Sequence, residues 1–232
     1  MGRIIELATN EVYHVYTRGV DKRKIFDHDE HYRRFWESLY LFNDKNYAIP
    51  SSNLIHRGSE LQTAIAFGDN RERLVDIIAV NPVGNHLHFA LRQRVDKGIS
   101  IFAHRLLKGH ARYYNLDTGR DGKLFDGPFK AKHVDHQSYL EYLPIYIHIN
   151  SLDRYGIPWR DGLMSVEARE RAWEIMERDP WSSHHVYMGR SQEFPVIHHD
   201  ILKDVYPTGE SYQKEVMSRM ASDLPFLDFL KE

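Results

Sequence analysis

Residues 85–92 read NHLHFALR, and their spacing decides how the chain is to be understood. A strand turns successive side chains to opposite faces, so His86 and His88 share one face while Leu87 and Phe89 alternate away from them. The run LVDIIAVNPVG at 74–84 is similarly apolar. Together they predict two paired strands, 74–80 and 86–92, joined by a turn over Asn81–Gly84. Two imidazoles side by side on a sheet face are costly to bury without partners. At this spacing they can supply two ligands to a divalent ion. The chain has no cysteine, which excludes disulfides and thiolate sites. A reducing, cytoplasmic setting is expected, with any metal held by His, carboxylate or amide groups.

Working outward, TNEVYHVYTRGV at 9–20 predicts a first strand. HDEHYRRFWESLYLF then sets Tyr32, Phe35, Trp36, Leu39 and Phe42 at helical spacing, with Asp27 or Asp29 as the N-cap. Residues 43–72 are polar and read as an insertion with a strand-like run at 61–67. GISIFAHRLLKGHARYYN places Ile99, Phe102, Ala103, Leu106 and Leu107 on one helix face, with His104 and His110 as surface or phosphate-contacting residues. Residues 115–128 are turn chemistry around a short strand-like core at Lys123–Phe125, and 129–135 read as another strand. HQSYLEYLPIYIHINSL is helical from about Gln137, with Pro144 expected to kink or restart it. SVEARERAWEIMERD predicts a helix capped by Ser165. WSSHHVYMG reads as a loop, followed by a last helix near 210–221; the pairs His184–His185 and His198–His199 read as solvated. The order β, α, β, β, α, β, α predicts an α+β, ferredoxin-like (RRM-like) antiparallel sheet with helices on one face, centred on the strand of His86 and His88. Residues 1–160 form the expected main domain and 161–232 a mostly helical extension.

Bulk properties set the outer limits. The chain has 232 residues, 42% hydrophobic and 28% charged, as in ordinary soluble globular proteins. No apolar run is long enough to span a bilayer, and MGRIIELATNE lacks a leader pattern, so no membrane partner is expected. The net charge of −2 divides unevenly. Residues 1–150 hold 21 Lys and Arg against 18 Asp and Glu, and the remainder is acidic. The mildly basic part is the one that would meet a polyanion.

The segment YIHIN, 146–150, offers the chemistry that the histidines lack. Tyr146 and Asn150 are four apart, so on a helix they are neighbours on one face. An amide oxygen is a competent hard ligand, and a phenol one turn away can attack a metal-polarised phosphate to form a phosphotyrosine link. From spacing alone, both patterns also fit an ordinary strand and a buried helix.

Taken in order, YHVYTRGVDKRKIF, NHLHFAL, GKLFDGPFKAKHVD, YLEYLPIYIHIN and WSSHHVYMG resemble the single-tyrosine HUH endonucleases, specifically the REP-associated and IS200-like tyrosine transposases. The likeness spans most of residues 11–190. It implies the HUH endonuclease fold, with His86 and His88 as the motif histidines that bind Mg2+ or Mn2+. It further implies Asn150 as the third ligand and Tyr146 as the nucleophile. Such enzymes cut single-stranded DNA beside hairpins, form a 5′-phosphotyrosine intermediate, free a 3′-hydroxyl and can rejoin strands. The sequence departs from many relatives at Gly84, where they carry proline, and at Ser151–Leu152, where they carry Pro-Val. Arg18, Lys130 and Lys132 are the expected DNA phosphate contacts, and Tyr16, Phe125 and Phe129 could stack unpaired bases. The expected partner is hairpin-bearing single-stranded DNA, bound by a monomer or homodimer. Alternatives are a hairpin-binding protein without turnover, a metal-dependent phosphoesterase using water, and an RNA-binding module of the same general shape.

Overall fold

Leu87, Phe89 and Leu91 on strand β3 (His86–Gln93) are all buried in one apolar cluster, while His88 and Ala90 face the other way. That single alternation divides the molecule into two cores. The computed structural model describes residues 6–47, 71–160 and 163–222, so the run at 61–67 lies outside the described residues. Strand β3 is flanked by β1 (Val12–Arg18) and β2 (Val75–Val83), and β4 (Lys130–His133) pairs with β1. The sheet is antiparallel throughout, in the order β2-β3-β1-β4.

Helices α1 (Asp29–Phe42) and α2 (Gly98–Thr118) cover the Leu87 face. Phe35, Leu39, Phe102 and Leu106 pack there against Val15, Phe89 and Leu91. Each such side chain contributes about 1.5–3 kcal/mol by leaving water. The expectation of helices on one face is corrected here. Helix α3 (Gln137–Ile149) packs on the opposite face, against Val12, Ile78 and Ala90. Its residues from Tyr142 to Ile149 are buried without interruption, which is what an all-round apolar helix between a sheet and a second layer requires. That layer is α4 (Val166–Arg178), the one-turn α5 (His184–Tyr187) and α6 (Gly209–Ala221), which share the α3 core through Ala172, Met176, Tyr187, Tyr212 and Val216.

Several local expectations change as well. Strand β2 runs through Asn81 and Pro82 to Val83, leaving a turn of only Gly84–Asn85. The Asn-Pro pair looks like turn chemistry, but β2 is an edge strand, where a proline's missing N–H does no harm. The outer edge of β2 is partly covered: Ser183 and His198 donate backbone N–H groups to Val80 and Ile77. The N-cap of α1 is His28, with Asp29 already inside the helix. Helix α2 continues past Asn115 to Thr118, and the Lys123–Phe125 stretch contributes a single bridge from Phe125 to Gly19. Helix α3 runs through Pro144 as one helix and passes directly into a 3-10 turn, Asn150–Tyr155. Ser165 caps α4 as expected, accepting the Ala168 N–H at 3.2 Å. No helix of the described residues is long and apolar enough to cross a membrane.

Gly98 opens α2 where the helix meets β2. A Cβ there would stand 2.2 Å from the Leu74 carbonyl oxygen. Helix propensity alone favours Ala over Gly, whereas this backbone clash opposes it. Gly98→Ala should destabilise the fold by about 2 kcal/mol in urea denaturation. A variant as stable as the parent would show that α2 does not meet β2 at this distance.

Candidate metal and nucleophile site

The sheet register brings separate strands to one place. His88 lies opposite Tyr16 on β1 and Asn81 on β2, and Tyr16 in turn lies opposite Lys130 on β4. His14, two residues before Tyr16, lies opposite Ala90 and Lys132. All face α3. Asn81 fixes that helix by donating its side-chain N–H to the Ile147 carbonyl at 2.9 Å.

Both motif histidines have their Nδ1 engaged by the protein. His86 Nδ1 is 2.7 Å from the Asn85 amide oxygen, which can only accept, so Nδ1 carries the proton and Nε2 the lone pair. His88 Nδ1 is 3.0 Å from His14 Nε2, and His14 Nδ1 is 3.4 Å from the Tyr139 hydroxyl. An outer hydrogen bond on one ring nitrogen is how a ligating imidazole is usually oriented. Burial pushes all three histidines below the ordinary value. His14 falls to about 3, with Lys132 adding to the effect. His88 falls well below 6.5, with His86 and His14 contributing after burial. For His86, the Asp153 charge and a hydrogen bond to Asn150 oppose the fall. Uncharged imidazoles are what a metal ion needs.

Asn150 is buried at the end of α3 and donates to the Tyr146 carbonyl at 2.7 Å, so the expected pair does sit together. Tyr146 is 5% exposed, with its ring edge-on to His88 at 5.6 Å and to His14 at 5.9 Å. Trp159 closes another side at 5.8 Å. The neighbouring phenols Tyr139 and Tyr142 are raised above 10, first by burial and then by charge on Tyr146.

Three residues here were not anticipated from sequence: His14, Asp153 and Arg160. Asp153 Oδ2 is 4.0 Å from His86 Nε2. Arg160 donates to Asp153 and to Asn150 Oδ1, the latter at 3.1 Å. Imidazole, amide oxygen and carboxylate are the donor types that suit a hard or borderline divalent ion, and the carboxylate lies on the His86 side of the site.

The other anticipated residues divide. Lys130 is exposed and Lys132 half-buried on the face of His14. Arg18 is exposed and donates to Asp126 at 3.2 Å. Tyr16 is half-buried on the site face, but Phe125 is buried and Phe129 packs against the α1–α2 core, so neither is placed to stack a base. His110 is buried and donates to the Ile25 carbonyl at 2.7 Å rather than meeting solvent. His184 is also buried, between Tyr212 and Glu177. His185, His198 and His199 are half-buried.

Among the described residues, His28, His31 and Asp117 place ligand atoms within 4.8 Å of one another, remote in sequence from His86, His88, Asn150 and Asp153. Their hydrogen bonds suit a clamp better than a metal. The Asp27 N–H donates to His31 Nδ1 at 3.1 Å, so neutral His31 carries its proton on Nε2 and donates it to Asp117 Oδ2 at 3.1 Å. That ring has no lone pair left for an ion. His28 Nε2 is 3.0 Å from the same oxygen, tying the start of α1 to the end of α2.

Comparison with known proteins gives no relatives: no family model, curated protein or solved structure matches the chain. What the described residues define is a class of architecture, an α+β protein with a four-stranded antiparallel sheet covered on both faces and, between sheet and helix, half-buried His86 beside buried His88, Asn150 and Tyr146.

Proposed function

We propose that this protein is a metal-dependent single-stranded DNA endonuclease and strand transferase of the HUH tyrosine-transposase type, acting near DNA hairpins through Tyr146. The observation that carries the reading is convergence. His86 and His88 both engage Nδ1 with protein partners, the His86 ring lies beside Asn150 and Asp153, and the Tyr146 ring is 5.6 Å from His88. An ion held by His86, His88 and Asn150, Mg2+ or Mn2+, would polarise a scissile phosphate and lower the barrier to attack. Tyr146 supplies the oxygen that bonds to phosphorus. The phosphorus–O3′ bond breaks, the 3′-oxygen takes up a proton, and the phenol's proton passes to solvent. The 5′-phosphate stays on Tyr146, and the bond energy is kept for rejoining. His14 orients His88, while Lys130 and Lys132 extend positive charge along the same face towards a DNA backbone. Single-stranded DNA is the proposed partner.

The reading is tested by incubating the protein with hairpin-bearing single-stranded DNA and Mg2+ or Mn2+, then running a denaturing gel. A covalent protein–DNA adduct that requires the ion is expected. Tight binding with no adduct in either ion would replace this reading with a hairpin-binding protein. His14 provides a second check. His14→Phe preserves an aromatic ring but removes the partner of His88 Nδ1, and should weaken Mn2+ binding about 10-fold in calorimetry. An unchanged affinity would reduce His14 to a packing residue.

A further inference from the structure

The Arg160 guanidinium lies where the site's negative charge converges. One of its terminal nitrogens is 2.5 Å from Asp153 Oδ2 and 3.1 Å from Asn150 Oδ1. Its other terminal nitrogen is 2.6 Å from Asp153 Oδ1. The same Asp153 Oδ2 is 4.0 Å from His86 Nε2, and the Asn150 amide lies beside the same ring. Two of the oxygens beside His86 are thus bridged by a single cationic group.

We infer that Asp153 is a further ligand of the ion site and that Arg160 is a displaceable cation occupying its oxygens in the ion-free protein. This rests on the metal-site reading above. The geometry supports it in three ways. A carboxylate 4.0 Å from His86 is the anionic donor that the His-His-Asn set otherwise lacks, and hard divalent ions favour anionic oxygen. Asp153 is also placed by the chain itself. It lies seven residues beyond Tyr146 and three beyond Asn150, so the 3-10 turn continuing α3 brings all three to one side. Finally, Arg160 has somewhere to go: its side chain is 49% exposed and lies over the Trp159 ring at 4.5 Å. A guanidinium can keep that ring contact while its fork releases the carboxylate. An ion and Arg160 therefore compete for the same oxygens. The competing structural role is a plain cap of the turn, since Asp153 also accepts the Trp159 indole N–H at 2.7 Å.

The two roles predict opposite signs for one variant. Mn2+ binding to the full chain can be followed by the electron-spin-resonance signal of free Mn2+, with no DNA present. One ion should bind the parent protein and be lost in His88→Ala. Asp153→Asn should weaken binding about 10-fold. Arg160→Gln should tighten it about three- to fivefold, the effect of removing a half-exposed competing ion pair. Over Asp153→Asn alone, adding Arg160→Gln should tighten binding less than Arg160→Gln tightens the parent, since only Asn150 Oδ1 is left to release, and this holds even if each single change lowers the melting temperature. Unchanged affinity in Asp153→Asn, or weaker binding in Arg160→Gln, would overturn this inference and leave the His86–His88 site standing. No Mn2+ binding to the parent protein would remove both.

Discussion

Tyr146→Phe should abolish the covalent adduct and lower DNA cleavage by about 10³-fold or more, the scale seen when a nucleophile is removed and only binding and electrostatic effects remain. The substitution takes away one oxygen and keeps the ring. The edge-on contacts with His88, His14 and Trp159, at 5.6, 5.9 and 5.8 Å, are contacts of the ring and stay in place. Mn2+ affinity should therefore match the parent protein, so the loss would belong to chemistry. Tyr142→Phe is the matched control. Tyr142 lies one turn earlier on the same helix and is equally buried, but its ring meets Tyr146 rather than the histidines, and burial raises its phenol above 10. It should retain the adduct. Cleavage in Tyr146→Phe within a few-fold of the parent would mean that water attacks the phosphate, and the protein would be a phosphoesterase.

Much of this was legible because two periods are hard to disguise. The alternation of NHLHFALR separates His86 and His88 from Leu87 and Phe89, and the stripe Tyr32, Phe35, Trp36, Leu39, Phe42 gives α1 whatever its partners. His14 was missed because its place depends on register. Nothing within VYHVYTR tells which β3 residue it neighbours. Asp153 left a signal: Tyr146, Asn150 and Asp153 fall at i, i+4 and i+7, but only if the chain keeps coiling past Asn150. His110 was misread by type. It lies four residues beyond Leu106 on the apolar stripe of α2, and the Ile25 carbonyl satisfies its proton. His184 sits in WSSHHVYMG, too short for a period to show, and only the fold supplies Tyr212 and Glu177 as its partners. The second face of the sheet was implied by YLPIYIHI, which has no polar side to turn to water.

Buried neutral histidines should make the fold labile in mild acid. His110 is the clearest case: burial lowers it from 6.5 to about 4, only partly offset by its bond to Ile25. The unfolded chain takes up a proton near pH 6.5 and the folded chain does not until about pH 4. Its contribution is therefore complete above pH 6.5 and is lost as pH falls through that window, by about 3 kcal/mol in all. His148, between Tyr212 and Ser183, is shifted in the same direction by burial. Asp179 acts in the opposite sense, since burial holds its carboxyl above 3.8 despite Arg154, but its gain begins only in the carboxylate range. Domains hold about 5–15 kcal/mol of stability, so several such histidines are enough to unfold this one before the carboxylates titrate. Urea denaturation between pH 7.5 and 5 should show stability falling with each step. In His110→Gln, whose amide can still donate to the Ile25 carbonyl, the slope should be shallower by up to about 1.4 kcal/mol per pH unit, the value for one proton. Stability that stays level down to pH 5 would mean these imidazoles gain protons within the fold, and the cores around them would have to admit water.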